Sequence, residues 1–249
     1  MPDNLATYTP GTAISAATQD PRHRLIVALD VSSAEAARKI VAAVGDSAFT
    51  YKVGMQLYTA EGPSVVRELV APGHRVFLDL KYHDIPNTVG RAVREAAQLR
   101  VSMLTVHAAG GSAMLHAAVE AAADQPASPL VLAVTVLTSL DDSDLNKLGV
   151  RGDVENQALR LAALALSNGC KGIVASAREA SALREEFGQD FVIVTPGVRP
   201  AGSGRGDQVR VATPSEAIAA GATYIVVGRP ITGAEDPAAE ARAILGQIG

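Results

Sequence analysis

Eight short apolar runs punctuate the chain: RLIVALD (24–30), FTYKVG (49–54), RVFLDLK (75–81), SMLTVHA (102–108), LVLAVTVLT (130–138), GIVAS (172–176), FVIVTPG (191–197) and TYIVVGR (223–229). Each is rich in Val, Ile and Leu and continuous rather than alternating. Strands of a parallel sheet, buried on both faces, have this pattern. The segments between them carry helical periodicity. Ser32 stands three before Glu35, a capping box opening AEAARKIVAAV, and Ser176 with Glu179 repeats the device before SALREEF. Thr213, Pro214 and Glu216 supply a cap, a first-turn proline and an acid to a third helix, which Gly221 closes. Further helices fall at about 61–70, 87–99, 112–123, 154–168 and 236–247.

Eight strand-then-helix units predict a single α/β domain, a (β/α)8 TIM barrel over 23–249. The competing architecture, an open doubly wound sheet, would carry a glycine-rich turn after its first strand. Here that turn reads ALDVSSAE. Residues 1–22 are polar, small and proline-containing, and read as a flexible N-terminal extension without the apolar core of a secretory signal.

Composition narrows the function. Among 249 residues the net charge is −4, which disfavours nucleic acid as a partner, since that needs a basic face. No run of about 18 apolar residues predicts a membrane span. The single cysteine, Cys170, precludes an internal disulfide and fits a cytoplasmic setting. It is expected to be inert. Neither Cys170 nor the five histidines have metal-ligand spacing, so no metal and no cofactor are expected.

Charge placement is more informative. In a TIM barrel the active site lies at the C-terminal ends of the strands. The first strand ends at Asp30, the second carries Lys52, and the third ends in Asp79 and Lys81, with Asp84 just beyond. Asp79 and Lys81 are two residues apart, so strand periodicity aims both to one side. Two of only five lysines fall here. Lone buried charges are costly, whereas an alternating acid–base row is tolerated. Carboxylates around a lysine favour its ammonium form, which suits stabilising and protonating a carbanion better than Schiff-base chemistry. At the other side, strand 8 ends in Gly228, Arg229 and Pro230, and strand 7 opens into TPGVRPAGSGRGDQVR with Arg199, Arg205 and Gln208. Barrels commonly grip phosphate with these two loops, and the longer one reads as a lid. TVLTSLDDSDLNKLG is a second candidate lid. In it Thr138 and Ser139 are placed to bond a heterocycle edge, while Asp141, Asp142 and Asp144 read as solvated charges or caps. His107 reads as a hydrogen-bonded strand-end histidine.

The stretch DLKYHDIPNT, with VALD, YKVG, TVLTS, TPGVR, GDQ and VVGRP in the same order, resembles the orotidine 5′-phosphate decarboxylase family over about 24–233, in its shorter bacterial form. The DxKxxD core alone is shared with Mg2+-dependent sugar-phosphate decarboxylases and aldolases of the same barrel group, which form the alternative reading. IPNT, TPGVR and GDQ select the orotidylate branch. The resemblance implies conversion of orotidine 5′-monophosphate to uridine 5′-monophosphate and CO2, with Lys52, Asp79, Lys81 and Asp84 as the catalytic network and Lys81 as proton donor. It implies Asp30 and Lys52 at the ribose hydroxyls and Thr138 at the pyrimidine. Arg199, Gln208, Gly228 and Arg229 would hold the phosphate, with Gln208 also able to reach the base. Ile85 and Thr88 join the substrate-binding set. It further implies a homodimer in which Asp84 and Thr88 come from the partner subunit.

Overall fold

A computed structural model of the chain describes residues 20–201 and 211–249. Eight parallel strands close on themselves in sequential order. They are β1 Leu25–Ala28, β2 Thr50–Gly54, β3 Arg75–Tyr82, β4 Met103–His107, β5 Leu130–Val134, β6 Gly172–Val174, β7 Val192–Thr195 and β8 Tyr224–Val227, and β8 pairs back onto β1. The predicted (β/α)8 barrel is therefore the fold. Of the predicted extension only residues 20–22 are described; the rest lies outside the described residues.

Each strand leads into a helix, and the helix ends follow from local chemistry. Ala34–Val44 is capped by Ser33, whose hydroxyl accepts from Ala36 N–H, so the expected cap at Ser32 is displaced by one residue. Glu61, instead of Glu35, supplies a carboxylate at this helix start, accepting from Ala34 N–H at 2.9 Å. The Thr213–Glu216 capping box forms as expected. At Ser176 the Glu179 carboxylate accepts the backbone N–H at 2.9 Å. The helix expected over 61–70 is Pro63–Val70, and an additional helix, Met55–Glu61, precedes it, the two being broken where Gly62 takes φ 66°. Asp142–Lys147 is an additional helix, capped reciprocally by Asp141 and Asp144, and Asp142 accepts from Val154 N–H. Those acids are caps, as their composition suggested. β5 is shorter than its apolar run, ending at Val134 rather than 138.

Two apolar layers result. Outward-facing strand residues and the inner helix faces form the larger core. Inside the barrel, Ile26, Ala28, Phe77, Met103, Leu130, Leu132, Val192, Val194, Tyr224 and Val226 fill the lumen, so the barrel is a packed plug and not a pore. Gly172 makes room for this packing: a Cβ there would stand 2.5 Å from Leu132 Cδ2 and 2.9 Å from the Val192 carbonyl oxygen. Arg184 ties the helix Ala177–Phe187 to the sheet, donating to the Gly221 and Phe191 carbonyls and the Thr223 hydroxyl. Among the described residues no helix is long and apolar enough to cross a membrane.

Candidate active site

Above the plug the lumen turns polar. Strand register places Lys52 across from Ala28 and Phe77, and Asp79 across from Gly54. Lys52 Nζ lies 2.8 Å from Asp30 Oδ1 and 3.7 Å from Asp79 Oδ2, and Lys81 Nζ lies 2.8 Å from Asp79 Oδ1. Thus Asp30, Lys52, Asp79 and Lys81 form one continuous row of alternating charge. Lys52 and Asp79 are its buried centre, with side chains 11% and 13% exposed, while Asp30 at 58% faces the mouth. Gly54 leaves room for this pair: a Cβ would stand 3.0 Å from both Asp30 Oδ1 and Lys52 Nζ, so one of them would have to shift.

Burial alone would push the Asp79 pKa up. The charges of Lys52 and Lys81, with hydrogen bonds from Lys81 and Thr105, outweigh it and hold the carboxyl below the usual aspartate range. Asp79 is therefore a fixed anion with a lysine on either side.

The route by which Lys81 arrives differs from simple strand alternation. Leu78 pairs with Leu104 but Tyr82 pairs with Val106, so four residues of β3 advance against two of β4. Lys81 sits in this bulge at φ 52°. Its backbone N–H donates to Thr105 Oγ1 at 2.9 Å, and that hydroxyl donates to Asp79 Oδ1 at 3.0 Å. Thr105 escaped sequence reasoning. The available signal was a single hydroxyl in an apolar strand, two residues before His107 and so on the same face.

A cavity of about 470 Å³ opens over the row. Asp30, Lys52, Asp79 and Lys81 line one side; Thr138, Arg199, Gly228 and Arg229 join them in the same cavity. Its floor includes Phe77, Val134, Val174, Val194 and Val226. A Cβ at Gly228 would make ordinary contacts, 3.5 Å from Ala28 Cβ, so the protein's own packing does not demand glycine there. Gln208, Arg205 and most of the predicted lid lie outside the described residues.

Asp84, Ile85 and Thr88 are not brought into this cavity by their own chain. All three are exposed, and the Asp84 carboxylate accepts from Ile85 N–H at 2.6 Å. His107 stacks at a tilt on His83, ring centroids 5.2 Å apart, and burial lowers its pKa. Cys170 is buried with its thiol pushed up to about 12, in keeping with an inert residue. Among the described residues no group of three or more His, Cys, Asp or Glu is placed to hold a metal ion.

Comparison with known proteins agrees with this architecture. A curated orotidine 5′-phosphate decarboxylase of Moorella thermoacetica is 54% identical over 233 residues, covering 91% of this chain and 92% of that one. One from Nitrosococcus oceani is 49% identical over 227 residues, covering 91% and 98%. A crystal structure of orotidine 5′-phosphate decarboxylase from Lactobacillus acidophilus superposes with a TM-score of 0.81 at 42% identity, covering 90% of this chain and 98% of that one. The sequence profile of the family described as orotidine 5′-phosphate decarboxylase / HUMPS matches residues 23–244. With a barrel of this topology and a profile match spanning nearly all of it, the chain belongs to the orotidine 5′-phosphate decarboxylase / HUMPS family.

Proposed function

We infer that this chain is an orotidine 5′-phosphate decarboxylase, a carboxy-lyase of de novo pyrimidine synthesis that works by charge alone. The carrying observation is the Lys81 ammonium held on the Asp79 carboxylate at 2.8 Å, at the edge of a cavity that also holds Arg199 and Arg229. In the reaction the bond from C6 of the pyrimidine to the carboxylate carbon breaks. CO2 departs and the electron pair remains at C6. Lys81 Nζ–H stabilises that developing anion and then protonates it, giving uridine 5′-monophosphate; the neutral amine recovers its proton from solvent.

Asp79 stands near the departing carboxylate in this reading. Two like charges about 4 Å apart interact by roughly 4 kcal/mol at an effective dielectric near 20. Enzymes typically supply about 8–23 kcal/mol. Repulsion is therefore a minor contributor, and stabilisation of the carbanion by Lys81 carries the larger share. Asp30 and Lys52 hold the ribose hydroxyls, and Thr138 reads the pyrimidine edge. Arg199, Gly228 and Arg229, with Gln208 from the loop, grip the phosphate. Arginine suits that task because its fork matches two phosphate oxygens. Binding energy from this remote grip holds the ring in the charged pocket.

The working unit in this reading is a homodimer, with Asp84 and Thr88 reaching the partner's cavity and Ile85 packing beside them. Two observations support it. The segment lies outside its own cavity, and Ile85 at 66% and Met55 at 57% exposure are large apolar side chains in want of a cover. The expected setting is cytoplasmic.

The decisive assay follows the loss of pyrimidine absorbance when orotidylate is added, with and without EDTA. Turnover unaffected by chelation is expected. Absence of CO2 release would overturn the assignment, and activity abolished by EDTA and restored by Mg2+ would favour a sugar-phosphate lyase chemistry instead.

A further inference from the structure

We propose that Thr105 is a positioning residue that couples the backbone of Lys81 to the carboxylate of Asp79. The inference rests on the decarboxylase reading for its kinetic part but starts from geometry. Thr105 is fully buried on β4, and Met103, Leu104 and Val106 around it are all apolar. A valine would fill the same space in such a strand. The hydroxyl is the feature that needs a reason.

Its two contacts assign its proton. Lys81 N–H has a proton to give and no lone pair, so Thr105 Oγ1 accepts there at 2.9 Å. The hydroxyl proton is then free for Asp79 Oδ1 at 3.0 Å, the same oxygen that receives Lys81 Nζ at 2.8 Å. One side chain thus closes a small ring through the backbone of the proposed proton donor, its ion-pair partner and the neighbouring strand. The bulge explains why a side chain is needed. With four residues of β3 set against two of β4, the ladder pairs Leu78 and Tyr82 but not the residues between them. Thr105 Oγ1 replaces the missing ladder acceptor for Lys81. Without it, a partly buried N–H in a left-handed residue would lose its partner, and Asp79 would lose a neutral donor.

The groups facing Asp79 are Lys52 from β2, with Asp30 behind it, Lys81 on its own strand, and His107 from β4. Thr105 is the uncharged partner among them. Its removal therefore leaves the charge count intact and takes away one neutral donor together with the tie to the Lys81 backbone.

The test compares Thr105→Val, which keeps shape and loses the hydroxyl, with Thr105→Ser, which keeps it. Thr105→Val should lower kcat by about 10- to 100-fold with KM within about threefold, while Thr105→Ser restores kcat to near wild type. In the ligand-free proteins, a carbon-13 titration of the Asp79 carboxyl should move to higher pH in Thr105→Val and stay in place in Thr105→Ser. If Thr105→Val does not fold, Thr105→Cys against Thr105→Ser asks the same question at matched size. A Thr105→Val kcat within about twofold of wild type, a serine variant as slow as the valine one, or an unmoved Asp79 titration would each overturn the proposal. The titration is independent of turnover. A wild-type protein that failed to decarboxylate orotidylate would thus count against the proposed function, while Thr105 would still be judged by Asp79.

Discussion

Lys81 Nζ lies 2.8 Å from Asp79 Oδ1, and the residue making this contact holds its backbone at φ 52°. A side-chain-bearing residue in the left-handed region costs roughly 1–2 kcal/mol. The chain stores that strain at the residue proposed to transfer a proton. Glycine should therefore be favoured here over alanine, the reverse of the usual order in a strand. We expect Lys81→Gly to be more stable than Lys81→Ala by about 1 kcal/mol in urea denaturation, with CO2 release abolished in both. Equal midpoints would mean that the backbone relaxes once the side chain is gone.

Arg229 is exposed and lines the cavity at the end of β8. Arg229→Ala should weaken binding of uridine 5′-monophosphate by roughly 2–3 kcal/mol, the scale of a hydrogen bond to a charged group. Binding of the unphosphorylated nucleoside should hardly change. Equal losses for both ligands in titration calorimetry would show that Arg229 does not act on phosphate.

Three histidines set the acid side of stability. Burial lowers the pKa of His23, His74 and His107, and nearby Arg75, for His23, and His83 and Lys81, for His107, push the same way. Each binds its proton more weakly folded than unfolded, where the value is about 6.5. Their contribution is then complete above about pH 6.5 and declines as pH falls through the lower folded values. Asp79, also depressed, contributes above about 3.9 and is lost only below that. The urea midpoint should consequently drop between pH 7.5 and 5.5, before the carboxylates titrate. A flat midpoint over that interval would contradict the burial of these rings.

If Asp84 serves the partner's cavity, two inactive chains should rescue each other. In a mixture of Lys81→Ala and Asp84→Ala chains, half of randomly formed dimers are hybrids with one intact site each, so about a quarter of wild-type activity returns. No recovery after unfolding and refolding the mixture would place Asp84 in its own chain's site.

Much of this is legible in the amino-acid sequence. Continuous Val, Ile and Leu runs marked all eight strands because parallel strands are buried on both faces. The charges stood out because Asp30, Lys52, Asp79 and Lys81 interrupt those runs at their C-terminal ends. Asp79 and Lys81 do converge, yet by a different route: period-two alternation ignores the bulge and the positive φ of Lys81. Bulges depend on which strand lies alongside, and local sequence does not carry that. Thr105 was hidden for the same reason, since its role is set by a neighbour 24 positions away. The cap expected at Ser32 falls at Ser33 because two adjacent serines offer equal hydroxyls, and the carboxylate that joins the cap comes from Glu61 of another helix.

The apolar plug has a consequence for how the charge row is solvated. Phe77, Met103, Leu132 and Tyr224 pack below Lys52 and Asp79, leaving water no access from behind. The charge row can be solvated from the mouth alone. A bound ligand therefore serves as the outer half of the row's solvent shell, and substrate entry exchanges one set of dipoles for another. The barrel interior acts as an insulating backing that turns the field of four side chains toward whatever occupies the cavity.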